Sequence, residues 1–240
     1  MGAVTMSQDH AVIFDIDGVL LHLTRQEEKL FFDAFRTIHA IAEHHINPDW
    51  NSYKSRNDLS IAGELLERHF GRTASVDEVW TVLGHYIRTI EDGLIEGSLQ
   101  TSAIEGSKAL LDGLADGGRV QLGLATANVR GTAEARLKHA DLWGYFTACG
   151  YAEVGGPKIE ILRAAVAALR DGENMPLSPD RVVFLGDQLG DLAAARANDV
   201  HFIGISTKSE QRDILRDNGA EIVFGDHTET AQTIARLLDL

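Results

Sequence analysis

Short apolar runs punctuate the chain at 11–14, 120–125, 182–185, 202–205 and 222–224. Most are unbroken rather than alternating, which is how strands covered on both faces of a parallel sheet read. From the second run onward, helical patterns alternate with the strands at 132–140, 159–170, 192–197, 210–217 and 230–238. That alternation predicts an α/β fold, a three-layer doubly wound parallel sheet of the Rossmann-like kind, with helices on both faces.

Residues 22–100 follow a different rhythm. Leu30, Ala34, Ile38 and Ala42 fall on one helical face, and Ile61, Leu65, Leu66 and Phe70 make a second stripe. Val76, Val79, Trp80, Leu83, Ile87, Ile90 and Leu94 make a third. No strand pattern interrupts them, and the stretch is too long for a loop between two strands. The expectation is a small α-helical domain at 22–100, inserted into a core formed by 1–21 and 101–240.

Composition narrows the class. At 240 residues the chain suits one large domain or a core with an insert, and 44% hydrophobic with 24% charged residues is ordinary for a globular protein. The net charge of −14 argues against a nucleic-acid or anionic-membrane surface. It does not exclude phosphate chemistry at one locally positive site. The single cysteine, Cys149, cannot form an internal disulfide and fits a reducing compartment. No apolar run approaches the ~18 residues of a membrane span. The opening MGAVTMSQDH has no basic stretch followed by an apolar one, and Gly2 is followed by Met6 where a myristoylation signal wants Ser or Thr. A soluble cytoplasmic protein, monomer or homodimer, is expected.

The candidate chemistry sits at strand ends, where ligands of open parallel sheets gather. The first run closes on Phe14-Asp15-Ile16-Asp17-Gly18. A calcium loop beginning there fails on spacing, because Ile13 and Thr24 stand where acids are needed. The run at 182–185 leads into Gly186-Asp187-Gln188-Leu189-Gly190-Asp191. Asp191 alone reads as a helix cap, but that leaves Asp187 unexplained. Two acidic strand ends side by side repel without a cation, and hard oxygen ligands around an open position suit Mg²⁺. Thr126-Ala127-Asn128 follows the second strand just before a helix, where a hydroxyl and free N–H groups hold an anion. Lys158 opens the helix at 159–170, a poor place for a cation unless an anion lies beside it.

Taken in order, Asp-x-Asp-Gly, Thr, Lys and Gly-Asp-x-x-x-Asp resemble the haloacid dehalogenase superfamily, in its phosphatase branch with a helical cap inserted after the first motif. Arg56-Asn57-Asp58 before Ile61 is similar to the cap segment of phosphoglycolate-phosphatase-like members. The chain departs from the pattern at Val19, where many members have Thr. Pro157 precedes the lysine here instead of following it, and Asn198-Asp199 stands where relatives often have Gly.

The resemblance implies a Mg²⁺-dependent phosphomonoester hydrolase acting on a small phosphorylated metabolite. Asp15 would be the nucleophile that forms an aspartyl-phosphate. Asp17 would protonate the leaving alcohol and then deprotonate the attacking water. The metal would be held by Asp15, Asp187 and the backbone carbonyl of Asp17, with Asp191 orienting it or its water. Thr126, Ala127, Asn128 and Lys158 would hold the phosphate. Because halide-removing relatives lack the second acid, Asp17 favours phosphoryl transfer. Arg25, Lys54 and Arg56 are the candidate specificity residues. A phosphomutase, or a non-catalytic phosphate-binding regulatory protein, are the alternatives.

Overall fold

The computed structural model describes residues 9–170 and 174–239. The first eight residues, read above for a targeting signal, and the outermost ends of the expected core lie outside the described residues. Six strands form one sheet: β1 (His10–Phe14), β2 (Val120–Ala125), β3 (Ala148–Gly150), β4 (Val182–Gly186), β5 (His201–Ile205) and β6 (Val223–Phe224). Their order is β3-β2-β1-β4-β5-β6, and every neighbouring pair is parallel. The chain builds outward from β1 through β2 to β3, then crosses to β4 and builds the other way. The order therefore reverses between β1 and β4, and a crevice opens there at the carboxyl ends.

The helices are α1 (Arg25–His39), α2 (Asp58–Phe70), α3 (Val76–Glu96), α4 (Ser107–Asp116), α5 (Arg130–His139), α6 (Lys158–Ala168), α7 (Leu189–Ala197), α8 (Ser209–Asp217) and α9 (Thr230–Leu237). Alternate residues of β1 serve opposite faces, as a strand's period of two requires. Val12 and Phe14 pack with Leu110 and Leu111 of α4, Leu137 of α5 and Ile234 of α9. Ala11 and Ile13 pack with Ile161 and Leu162 of α6 and Ala194 of α7. The expected three layers are thus present. Two elements were not legible in the pattern. β3 is a three-residue edge strand, and α4 is a ten-residue helix containing Gly113 and bounded by Gly106 and Gly117.

The helices α1, α2 and α3 share a hydrophobic cluster centred on Phe31, Phe35, Ile61, Leu66, Leu83 and Ile90, joined by Val129 and Ala152 from the sheet-bearing part. The stripe expected on the first helix is shifted. Thr24 and Glu27 form a reciprocal capping box that fixes the start at Arg25, and Ala40 takes a left-handed φ of 52° that ends the helix before Ala42. Phe31, Phe32 and Phe35 carry the buried face, while Leu30 and Ile38 are only partly buried. On α3, Trp80 lies at the edge of the stripe and Val76 is exposed. The chain leaves the sheet and returns to it at one place. Leu21 bridges Ala103, and the His22 N–H donates to the Ser102 carbonyl at 3.0 Å.

Candidate active site

Two carboxylates leave the end of β1 into the crevice. The Asp15 N–H still donates to the Leu185 carbonyl at 2.9 Å, so the strand pairing continues through the first acid. The chain then turns at Gly18, whose φ of 76° and closeness to Asp187 both demand glycine: a Cβ there would sit 2.5 Å from the Asp187 Oδ2. At the end of β4, a Cβ on Gly186 would collide with the Asp191 side chain. These two glycines let β1 and β4 bring their acids together. One oxygen from each of Asp15, Asp187 and Asp191 lies within 4.8 Å of the others.

Lys158 is the counter-charge of this cluster. Its Nζ stands 2.7 Å from Asp15 Oδ2 and 3.0 Å from Asp191 Oδ1. It is the first residue of α6, where the helix dipole disfavours a cation, and the two carboxylates hold it there. Burial works against the ammonium, but Asp15 and Asp191 outweigh it and keep it above its ordinary pKa. Burial pushes Asp15 up to about 7 against the pull of Lys158. Burial also drives Asp187 well above the usual carboxylate range, with Asp191 and Asp15 adding to it. Gln188 donates its side-chain amide to Asp187 Oδ2 at 2.6 Å, and Gln211 Nε2 donates to the Asp187 carbonyl at 2.8 Å. Asp191 takes the N–H groups of Asp187 and Gln188 on Oδ2, so it caps α7 and faces Lys158 at once.

Asp17 faces other partners. Arg136 Nη2 donates to its Oδ1 at 2.6 Å, and Asn128 Nδ2 donates to its Oδ2 at 2.8 Å. Arg136 Nη1 closes the ring by donating to Asn128 Oδ1 at 2.9 Å. The Arg136 Nε stands 2.8 Å from Glu27 Oε1, an ion-pair distance though misaligned for a hydrogen bond. Burial would raise the Asp17 pKa, but the guanidinium and the Asn128 amide hold it below the ordinary value.

Of the residues expected to hold phosphate, Lys158, Ala127 and Asn128 line one cavity with Asp15, Asp17, Asp187 and Asp191. The Asn128 side chain is engaged with Asp17 and Arg136. Thr126 is fully buried, and its Oγ1 accepts the Asn128 N–H at 3.2 Å, so it shapes the loop and does not line the cavity. Arg56 lines the cavity. Lys54 is exposed and lines neither described cavity, and Arg25 lines a second cavity beside Trp50. Sequence reasoning missed Arg136, Glu27, Asp58 and Lys208. The signal for Arg136 is a charged residue on the buried stripe Thr132, Ala133, Arg136, Leu137 of α5. The start of α2 also grips both loops of the site. Asp58 donates its N–H to the Ala127 carbonyl at 3.0 Å and accepts the Val129 N–H on Oδ2 at 2.9 Å, and Asn57 Nδ2 donates to the Gly156 carbonyl at 2.7 Å.

The cavity has a volume of about 380 Å³, and its outer wall includes Trp50, Arg56, Tyr86 and Lys208. Acids converging at the strand-order reversal of a doubly wound sheet, with one shared lysine, define a hydrolase-type α/β site. The family model of haloacid dehalogenase-like hydrolases matches residues 10–199. The chain belongs to that family. A search of curated proteins gave no match. Among solved structures, CbbY from Rhodobacter sphaeroides in complex with phosphate is similar at 17% identity and a TM-score of 0.66, covering 96% of this chain and 99% of that one. A predicted phosphatase from Clostridium acetobutylicum is 20% identical with a TM-score of 0.63, covering 95% and 98%. A putative beta-phosphoglucomutase from Thermotoga maritima is 21% identical with a TM-score of 0.59, covering 95% and 99%. At such identities the likeness is one of fold.

Proposed function

We propose that the chain is a Mg²⁺-dependent phosphatase of small phosphorylated metabolites, working through an aspartyl-phosphate on Asp15. The observation that carries this reading is the cluster of Asp15, Asp187 and Asp191 around the single Lys158. Three carboxylates with one ammonium leave excess negative charge in a buried space. That hard-oxygen donor set fits Mg²⁺. Asp15, Asp187 and the Asp17 carbonyl would hold it, with Asp191 behind them. When bound, the ion offsets the repulsion between a carboxylate and a phosphate.

An oxygen of Asp15 attacks phosphorus, the ester P–O bond breaks, and the departing alkoxide takes a proton from Asp17, which must first take one up from solvent because Arg136 and Asn128 hold it ionised before substrate binds. Water then attacks the phosphorus and gives its proton to Asp17, and the bond to Asp15 breaks. Lys158 neutralises the transferring oxygens and keeps Asp15 in place. Residues 22–100 act as the cap, supplying Trp50, Arg56 and Tyr86 to the outer cavity, where Arg56 meets the non-reacting end of the substrate. CbbY, a protein of the same fold, is found in complex with phosphate, which supports a phosphate-type ligand for this chain.

The test is phosphate release from a panel of phosphomonoesters, with and without Mg²⁺, for wild type and Asp15→Asn. Metal-dependent release that vanishes in Asp15→Asn is the expected result. Release unaffected by Asp15→Asn, or no release from any ester, overturns the reading. Isomerisation of a sugar phosphate in place of release would make the chain a mutase.

A further inference from the structure

We propose that Arg136 is the positioning residue that holds Asp17 as the base of the second, hydrolytic step, and that Glu27 on α1 sets Arg136. The inference rests on the role given to Asp17 above. Arg136 is 2% exposed and stands on the face of α5 that packs into the core. Burying a guanidinium is costly unless its N–H groups find acceptors. Two edges of this one do, with Asp17 at Nη2 and Asn128 at Nη1, and the third, Nε, stands 2.8 Å from Glu27 Oε1 as an ion pair without hydrogen-bond alignment. Asn128 then returns a bond to the other Asp17 oxygen. Both oxygens of Asp17 therefore accept N–H donors, and the carboxylate cannot turn without breaking the ring. An ordinary buried ion pair would sit away from the chemistry. This one lines the cavity, with Arg136, Asn128 and Asp17 all on its wall.

The arrangement matches what the hydrolytic step asks of Asp17. A carboxylate held at one angle takes the proton of the attacking water. The water oxygen bonds to phosphorus, the bond between phosphorus and the Asp15 oxygen breaks, and inorganic phosphate leaves with Asp15 restored. Glu27 ties the geometry to α1. Its other carboxylate oxygen caps that helix by accepting the Thr24 N–H at 2.8 Å, so a shift of α1 is felt at Arg136.

p-Nitrophenyl phosphate separates the steps, because its leaving group needs little protonation. In rapid-quench experiments with Mg²⁺, Arg136→Lys is expected to release up to one equivalent of nitrophenolate in a burst. The steady rate that follows should be about tenfold or more below wild type, with acid-stable phosphoenzyme accumulating. Arg136→Lys keeps the charge but loses the planar fork that bonds Asp17 and Asn128 at once. Glu27→Gln, which leaves the Arg136–Asp17 pair intact, should give the same signature at smaller size. It carries the test should Arg136→Lys fail to fold. Asp17→Asn should give the fullest accumulation. A proportional fall in burst and steady rates without phosphoenzyme, for both Arg136→Lys and Glu27→Gln, would mean a merely structural role and overturn the proposal. Should Asp17→Asn show no accumulation either, the reading of Asp17 falls with it. Accumulation in Asp17→Asn alone removes only the role of Arg136.

Discussion

Asp15 and Asp17 are two residues apart, yet the structure treats them in opposite ways. Asp15 belongs to a half of the site with too many carboxylates: Asp187 and Asp191 crowd it, Lys158 is shared, and its pKa is pushed up to about 7. Asp17 belongs to a half with a surplus of donors, and Arg136 and Asn128 hold its pKa down. The first half is poised to receive positive charge, and the second is already neutralised by protein. Chemically similar neighbours are thus given separate environments by what surrounds them, not by their place in sequence.

Variants that attack the crowded half should have the largest effects. Asp15→Asn removes the proposed nucleophile and is expected to lower phosphate release from p-nitrophenyl phosphate by about 10³-fold or more. Lys158→Met leaves Asp15 and Asp191 buried without a cation. It should cost about 10²–10³ in kcat, and its melting temperature should recover partly on adding Mg²⁺, because the ion replaces the missing charge. A melting temperature insensitive to Mg²⁺ would separate Lys158 from the proposed metal site. In the donor-rich half, Asp17→Asn should slow turnover by about 10²-fold while Mg²⁺ affinity, measured by calorimetry, stays within a few-fold of wild type. Its proposed metal contact is a backbone carbonyl. Loss of metal binding in that variant would merge the two halves and remove the contrast.

The two halves also differed in how far they could be read from sequence. Asp15, Asp187 and Lys158 stand beside apolar runs or at a helix start, and such runs announce strands buried on both faces, so the expected layers and the carboxylate cluster both follow from pattern. Arg136 and Glu27 carry weaker markers, a charge on the buried stripe of α5 and the acid of a capping box at the start of α1, and it is the packing of α1 and α5 that brings them together. Thr126 illustrates the converse. A hydroxyl at a strand end suggests an anion ligand, and here its Oγ1 accepts the Asn128 N–H within its own loop and lies outside the cavity lining. Side-chain direction after a strand ends is set by the turn, and the turn is what pattern does not encode. The phenylalanine face of α1 was misjudged for a related reason, because the capping box, not the apolar period alone, fixes where the helix begins.

The smallest expected effect lies at Asp58, which belongs to the donor-rich half yet lacks a cation of its own. It is 6% exposed, and burial pushes its pKa up to about 7, against the pull of the Val129 N–H and of Arg136 and with the push of Asp17 and Glu153. A carboxyl with a raised pKa in the fold binds its proton more tightly there than in the unfolded chain. Its contribution to stability is therefore greatest below about pH 4 and declines as pH rises toward 7. At pH 5 the folded Asp58 is still mostly neutral while the unfolded one is already ionised, so Asp58→Asn should raise the melting temperature less than at pH 8. At pH 8 the wild type carries a buried charge that the variant does not, and the Asn carbonyl can still accept the Val129 N–H. A gain of about 2–4 °C is expected there, corresponding to roughly 1 kcal/mol for a chain of this size. An equal effect at both pH values would show that Asp58 does not titrate in this range. A loss at pH 8 would show that its charge is balanced by Arg136 after all, giving that guanidinium a third carboxylate to serve.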